Sequence, residues 1–162
     1  MKPAMLEIRT PTVPEELDAL RLIMREYAAS LSIDLDFQDF DAELSALPGA
    51  YCAPRGTLLA ARVNGALAGC CALRPLDNVD YANACEMKRL FVRPQYRGLG
   101  LGHRLAEATL DAARQARYAC LLLDTLSNME TARALYQDLG FEEIPPYYHN
   151  PIAGSHYLMV RL

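Results

Sequence analysis

The run Arg97-Gly98-Leu99-Gly100-Leu101-Gly102 carries the clearest chemical signal in the chain. Three glycines at alternating positions in the opening turn of a helix each give up more backbone entropy than alanine would. They offer N–H groups with no side chain in the way, at a helix end bearing about half a positive elementary charge. Arg97 adds a full charge beside them, and the set suits a pyrophosphate. A tight turn using glycine for close packing would need the same residues. Three phosphate-binding designs compete for the pattern. A P-loop requires Gly-Lys-Ser/Thr, whereas His103 follows Gly102. A dinucleotide fingerprint would start at Gly98 and Gly100, with His103 at its third glycine and Asp124 roughly where a ribose-binding acid belongs. Arg93 to Arg97 count against it, because the fingerprint should follow its strand directly. The third design is a coenzyme A loop.

The loop must be held between a strand and a helix. Met87 to Val92 is a compact apolar run broken by Lys88 and Arg89, and Arg93-Pro94 ends it. After the glycines, Leu101, Leu105, Ala108 and Ala112 stack on one face of a long helix ending near Arg117. Tyr118 to Asp124 is the next strand, apolar enough to be buried on both faces.

Around this centre the chain offers further strands and helices. Met5 to Arg9 alternates as a first strand, and Pro14 to Leu31 keeps helical spacing, with Thr10 or Thr12 as its cap. Ser32 to Asp41 reads as an acidic loop leading to a short helix over Asp41 to Leu47. Gly56 to Val63 and Ala66 to Leu73 flank Asn64-Gly65, a strong hairpin signal. Pro75 to Ala84 is polar and turn-like. A fourth helix carries Met129, Ala132, Leu135-Tyr136 and Leu139 on one face, with Ser127 or Asn128 as its N-cap and Gly140 at its end. Phe141 to Ile144 and His156 to Leu162 can pair as closing strands, joined by a loop that contains Pro145, Pro146 and Pro151.

Two motifs carry a family resemblance. The first is the loop of Arg97, Gly100 and Gly102 within VRPQYRGLGLG. The second is AxxLYxxLGF, carried by Ala132, Leu135, Tyr136, Gly140 and Phe141, one helix and one strand downstream. In this order and spacing the chain resembles the GNAT superfamily of N-acetyltransferases along nearly its whole length. The resemblance implies an α/β fold, a mixed, mostly antiparallel sheet of about seven strands with about four helices, splayed between the strands ending at Val92 and Asp124. It implies acetyl-CoA as donor, a small-molecule or peptide primary amine as acceptor, and direct attack without an acetyl-enzyme. It also places the cofactor against Leu90, Phe91 and Val92 and against the loop residues Arg97, Gly98, Leu99, Gly100, Leu101 and Gly102. Asn128 is either a pantetheine contact or only a helix cap. A homodimer stays open, as do two rival readings: a CoA-binding regulatory domain without catalysis, and more distantly a dinucleotide-binding oxidoreductase.

Acetyl transfer to an amine poses two proton problems. An alkylamine with a pKa near 10.4 is neutral in only about one molecule in a few thousand at pH 7. A base therefore helps, and Glu86 is the candidate, acting directly or through water; its alternative role is an ion pair with Lys88 or Arg89. The departing thiolate needs a donor, and Tyr136 stands where the family places its tyrosine. The carbonyl oxygen needs a donor as negative charge develops on it; in the family this is central-strand backbone, which by the resemblance implies the N–H groups around Phe91 and Val92.

Composition bounds the rest. A chain of 162 residues is most simply one domain with a substantial core, and 52% hydrophobic content fits a globular protein. A net charge of −4 gives no reason to expect nucleic acid as a partner. Five cysteines, odd in number and mostly in apolar runs, favour reduced, buried thiols in a cytoplasmic protein. His103, His149 and His156 show no ligand spacing with them, so no metal is expected. No apolar run approaches the ~20 residues of a membrane span. For the acceptor, the acidic loop Asp34 to Asp41 and the stiff loop with Tyr147, Tyr148 and His149 are expected to flank a cationic amine.

Overall fold

The computed structural model describes residues 3–31, 34–35 and 39–162. Asp36 and Phe37, within the expected acidic loop, lie outside the described residues. Seven strands form one sheet in the order β1-β2-β3-β4-β5-β7-β6. They are β1 (Leu6–Arg9), β2 (Thr57–Val63), β3 (Ala66–Leu76), β4 (Ala84–Val92), β5 (Cys120–Leu126), β6 (Glu142–Ile144) and β7 (Ser155–Arg161). Among the described residues four α-helices accompany them: α1 (Pro14–Ser30), α2 (Phe40–Ser45), α3 (Leu101–Gln115) and α4 (Glu130–Asp138). The β2–β3 turn has both Asn64 (φ 52°) and Gly65 (φ 85°) in the left-handed region that such a hairpin requires.

The sheet has a core on each face. On one, Leu101, Leu105 and Leu110 of α3 meet Leu59, Leu73, Met87 and Leu121. Each such leucine contributes about 1.5–3 kcal/mol on burial, which anchors the helix that follows the glycines. On the other face, Leu20, Ile23 and Met24 of α1 and Phe40 and Leu44 of α2 meet Leu58, Cys70 and Phe91.

The one parallel pair creates the opening. β4 and β5 pair only from Ala84 opposite Cys120 to Glu86 opposite Leu122. Beyond that, Met87 to Val92 and Leu123 to Leu126 run on without pairing to each other, so the expected splay is present. Both strands are longer or shifted relative to the sequence reading. β4 begins at Ala84 because Arg74, Pro75 and Leu76 of β3 pair with Glu86, Cys85 and Ala84, although the stretch between looks like a turn.

The bulge in β4 is the second irregularity. Cys70 faces Phe91 and Ala72 faces Lys88, so Arg89 and Leu90 together oppose Cys71. Arg89 takes φ 63°, unusual for an arginine. Its guanidinium forms a forked pair with Glu43 (Nε–Oε2 2.9 Å, Nη2–Oε1 2.9 Å) and lies 5.1 Å from the Phe40 ring centroid. Burial opposes charge on Glu43, but the Arg89 hydrogen bonds hold its carboxyl below the usual range.

Two expected helix caps are replaced. α1 starts after Val13 with no side-chain cap; instead Glu16 accepts the Thr12 hydroxyl at 3.2 Å and pairs with Arg9. α4 starts after Met129, also uncapped by a side chain. Ser127 turns away, because its hydroxyl donates to Gly154 O at 2.9 Å.

Candidate active site

The splay and the glycine loop bound a cleft of about 430 Å³. Nine of the ten residues expected to hold the cofactor line it: Leu90, Phe91, Val92, Arg97, Gly98, Gly100, Leu101, Gly102 and Asn128. Leu99 does not; it is 46% exposed on the outer side of the loop. Gly98 (φ 85°) and Gly100 (φ 77°) adopt left-handed backbone, and a Cβ on either would enter open space. Gly100 is the N-cap of α3, so the first-turn N–H groups that follow have no acceptor within the helix. Gly98, Leu99 and Gly100 donate to no backbone carbonyl among the described residues. A bare cradle of donors at a helix N-terminus fits a pyrophosphate. Arg97 folds back, its Nε donating to Val92 O at 3.1 Å and its guanidinium lying 5.9 Å from the Phe91 ring centroid.

Deeper in the splay is a cavity of about 50 Å³, walled among others by Tyr27, Lys88, Leu90, Asp124, Met129 and Tyr136. Leu90 and Met129 also line the cleft, so the two spaces share a wall. Tyr136 is 6% exposed, with its ring tilted against Phe141 at 5.5 Å. Among the described residues its hydroxyl has no hydrogen-bond partner, and burial pushes the phenol well above its ordinary pKa. It stays protonated and free to donate.

Glu86 occupies a different space. It is 1% exposed; Oε1 accepts from Arg74 Nε at 2.7 Å, and Oε2 accepts from the Tyr147 hydroxyl at 2.7 Å. Its ion-pair partner is therefore Arg74, across the β3–β4 pair, rather than Lys88 or Arg89. With Arg74, Lys88, Tyr147 and Tyr148 it lines a third cavity of about 250 Å³. Tyr136 does not reach that cavity. The carboxylate that shares a cavity with Tyr136 is Asp124 on β5, whose Oδ2 accepts from Tyr148 at 2.6 Å. Its other oxygen makes no hydrogen bond among the described residues. Sequence reasoning weighed Asp124 only as a ribose-binding acid and not as a base; its signal was the position near the end of the strand that follows the glycine-loop helix. That placement also removes it from the cleft, where a ribose-binding acid would have to stand.

Tyr147 and Tyr148 wall the third cavity, whereas His149 does not. Of the acidic loop, Leu35 reaches the central cavity, but Asp34, Asp39 and Asp41 line none of the three. Four cysteines are buried and Cys52 is exposed, all as free thiols. Burial pushes Cys71 and Cys85 up to about 12, so neither supplies a thiolate. Elsewhere, Ser127, His156 and Glu143 form a line of 2.7 Å contacts. The Ser127 N–H and hydroxyl both bond Gly154 O, and Ser127 lines none of these cavities, so the line works as a clamp between β5, β7 and β6. No helix of the described residues is long and apolar enough to cross a membrane.

Comparison with known proteins agrees with this geometry. The model of the Acetyltransferase (GNAT) family matches residues 17–141. An uncharacterized N-acetyltransferase of Schizosaccharomyces pombe is 37% identical over 163 residues, covering 100% of this chain and 98% of its own. Among solved structures, an acetyltransferase from Streptococcus agalactiae superposes with a TM-score of 0.77 at 24% identity, covering 97% of this chain and 98% of its own. An acetyltransferase from Salmonella typhimurium, solved with acetyl-CoA, superposes with a TM-score of 0.67 at 17% identity, covering 96% and 93%.

Proposed function

This chain belongs to the GNAT acetyltransferase family, and we propose that it transfers an acetyl group from acetyl-CoA to a primary amine by direct attack. One observation carries the assignment of roles: Tyr136 and Asp124 line a single cavity that shares Leu90 and Met129 with the glycine-loop cleft. Acetyl-CoA, when bound, supplies an acyl carbon activated as a thioester. The chain's own residues do the rest. The N–H groups of Gly98 to Gly102 and the charge of Arg97 hold the pyrophosphate. The open edge of β4 from Leu90 to Val92 offers backbone groups to the pantetheine amides and an N–H to the carbonyl oxygen, and Asn128 faces the same arm.

Tyr136 donates its proton to the departing sulfur. A phenol kept protonated by burial can do so without prior ionisation. Asp124, with one oxygen uncommitted, takes the proton from the amine. Glu86 acts at one remove: fixed by Arg74, it orients the Tyr147 hydroxyl on the acceptor side. The buried cysteines take no part, in keeping with a route lacking an acetyl-enzyme.

A thiol-release assay with acetyl-CoA across a panel of amines, amino acids and peptides tests this reading. Turnover that depends on the amine, and that Asp124→Asn lowers about 10²–10⁴-fold, is the expected result. Tight CoA binding with no amine-dependent thiol release would instead mark a regulatory domain.

A further inference from the structure

Pairing the charges on the acceptor side leaves one side chain over. Arg74 is taken by Glu86 and Arg89 by Glu43. Lys88 stands between them on β4, 7% exposed. Strand alternation puts it on the same face as Glu86, opposite Cys85 and Met87 of the α3 core. Among the described residues its ammonium has no hydrogen-bond acceptor and no carboxylate within ion-pair distance. Glu86 and Asp124 act on it only at longer range, and burial pulls its pKa down. A buried ammonium without a partner is strongly unfavourable, and a methionine would fill the same space without that cost. Lys88 also lines both the central cavity and the third cavity. It is therefore a mostly buried cation in the wall of the two cavities that also hold Glu86 and Asp124.

Resting on the acetyl-transfer reading, we propose that the acceptor amine carries a carboxylate beside its amino group, as an amino acid does, and that Lys88 binds this carboxylate. The amine then turns toward Asp124 while the remainder extends into the third cavity, along the wall that Tyr147 and Tyr148 form together. The two charges of a zwitterion meet two complementary charges. A purely cationic acceptor would set like charge against Lys88, and the acids expected to attract it, Asp34, Asp39 and Asp41, lie outside these cavities. Lys88 is a specificity-determining residue here.

The same chemistry could come from a free amino acid or from a peptide whose first residue is Asp or Glu. The test is steady-state kinetics with acetyl-CoA on alanine, aspartate, glutamate, lysine and phenylalanine, each against its own carboxamide, and on Asp- and Glu-first peptides. Wild-type protein should prefer the carboxylate partner in kcat/KM by about 10- to 100-fold, mostly through KM. Lys88→Met, or Lys88→Gln should the first variant melt early, brings that ratio close to one, and Lys88→Arg keeps most of it. Turnover of acid-first peptides alone assigns the carboxylate to a peptide side chain. Equal use of amino acids and carboxamides by the wild type overturns the proposal while leaving acetyl transfer intact. So does an equal fall in kcat on every amine in both Lys88→Met and Lys88→Arg, which would make Lys88 an acid–base group. If no amine turns over, the transfer reading fails, and calorimetry with N-acetylalanine and N-acetylalaninamide judges the anion site alone. Preference for N-acetylalanine in the wild type, lost in Lys88→Met, keeps the site; equal binding removes it.

Discussion

Replacing Tyr136 by phenylalanine separates chemistry from packing at one atom. The ring, 6% exposed and 5.5 Å from Phe141, stays where it is. The hydroxyl has no hydrogen-bond partner among the described residues, so its removal breaks no bond of the fold. With no bond to lose, the variant should unfold within about 1 kcal/mol of the parent. Turnover should fall. Loss of a general acid lowers kcat about 10²–10⁴-fold, which corresponds to about 2.7–5.4 kcal/mol of transition-state stabilisation. The Michaelis constant for acetyl-CoA should hardly change, because the donated proton matters only as the sulfur leaves. Thermal unfolding and thiol release on the same preparation measure both halves. A stable variant with kcat within about threefold of the parent would refute the role and leave Tyr136 as a core residue.

Three further expectations follow from other parts of the structure. Gly100→Val should abolish CoA binding by calorimetry, since φ is 77° there and the branched side chain would enter the open space of the cradle; Gly102→Ala should be milder, its Cβ making only an ordinary 3.5 Å contact with Leu135 Cδ1. Glu43→Ala should destabilise the fold by about 1.5–3 kcal/mol in denaturant titrations at pH 7, because it removes a forked, charged hydrogen-bonded pair from the buried Arg89 guanidinium. The Glu43 carboxyl is held below its ordinary range, so the wild type keeps this contribution above roughly pH 4.3 and loses it as pH falls through the lower folded value; the acid arm of the stability curve should be flatter in the variant. Tyr147→Phe should raise the acceptor KM without altering acetyl-CoA affinity, because it frees one oxygen of Glu86 in the acceptor cavity alone.

The parts legible from sequence are those whose signal is local. The alternating glycines, the Asn64-Gly65 hairpin and the Tyr136 motif each report a backbone or a face within a few residues. The splay followed from the family resemblance those motifs carry. The site's electrostatics were not legible, because partners come from distant elements. Glu86 meets Arg74 twelve positions back, and Asp124 meets Tyr148 from a loop beyond the next helix. Lys88 and Arg89 look alike as neighbours on a strand. The bulge, with Arg89 at φ 63°, sends one to Glu43 and leaves the other without a partner among the described residues. The caps failed for a related reason: the Ser127 hydroxyl donates to Gly154 O, 27 residues away, instead of capping its own helix.

The central claim is direct transfer from thioester to nitrogen within one ternary complex. A rapid-quench experiment with acetyl-labelled acetyl-CoA and an accepted amine tests it most directly, following free thiol, labelled N-acetyl product and intact protein mass together. The account predicts thiol and N-acetyl product appearing in equal amounts, with unlabelled protein throughout. Label on the protein before product forms, or thiol released without an N-acetylated amine, would contradict it.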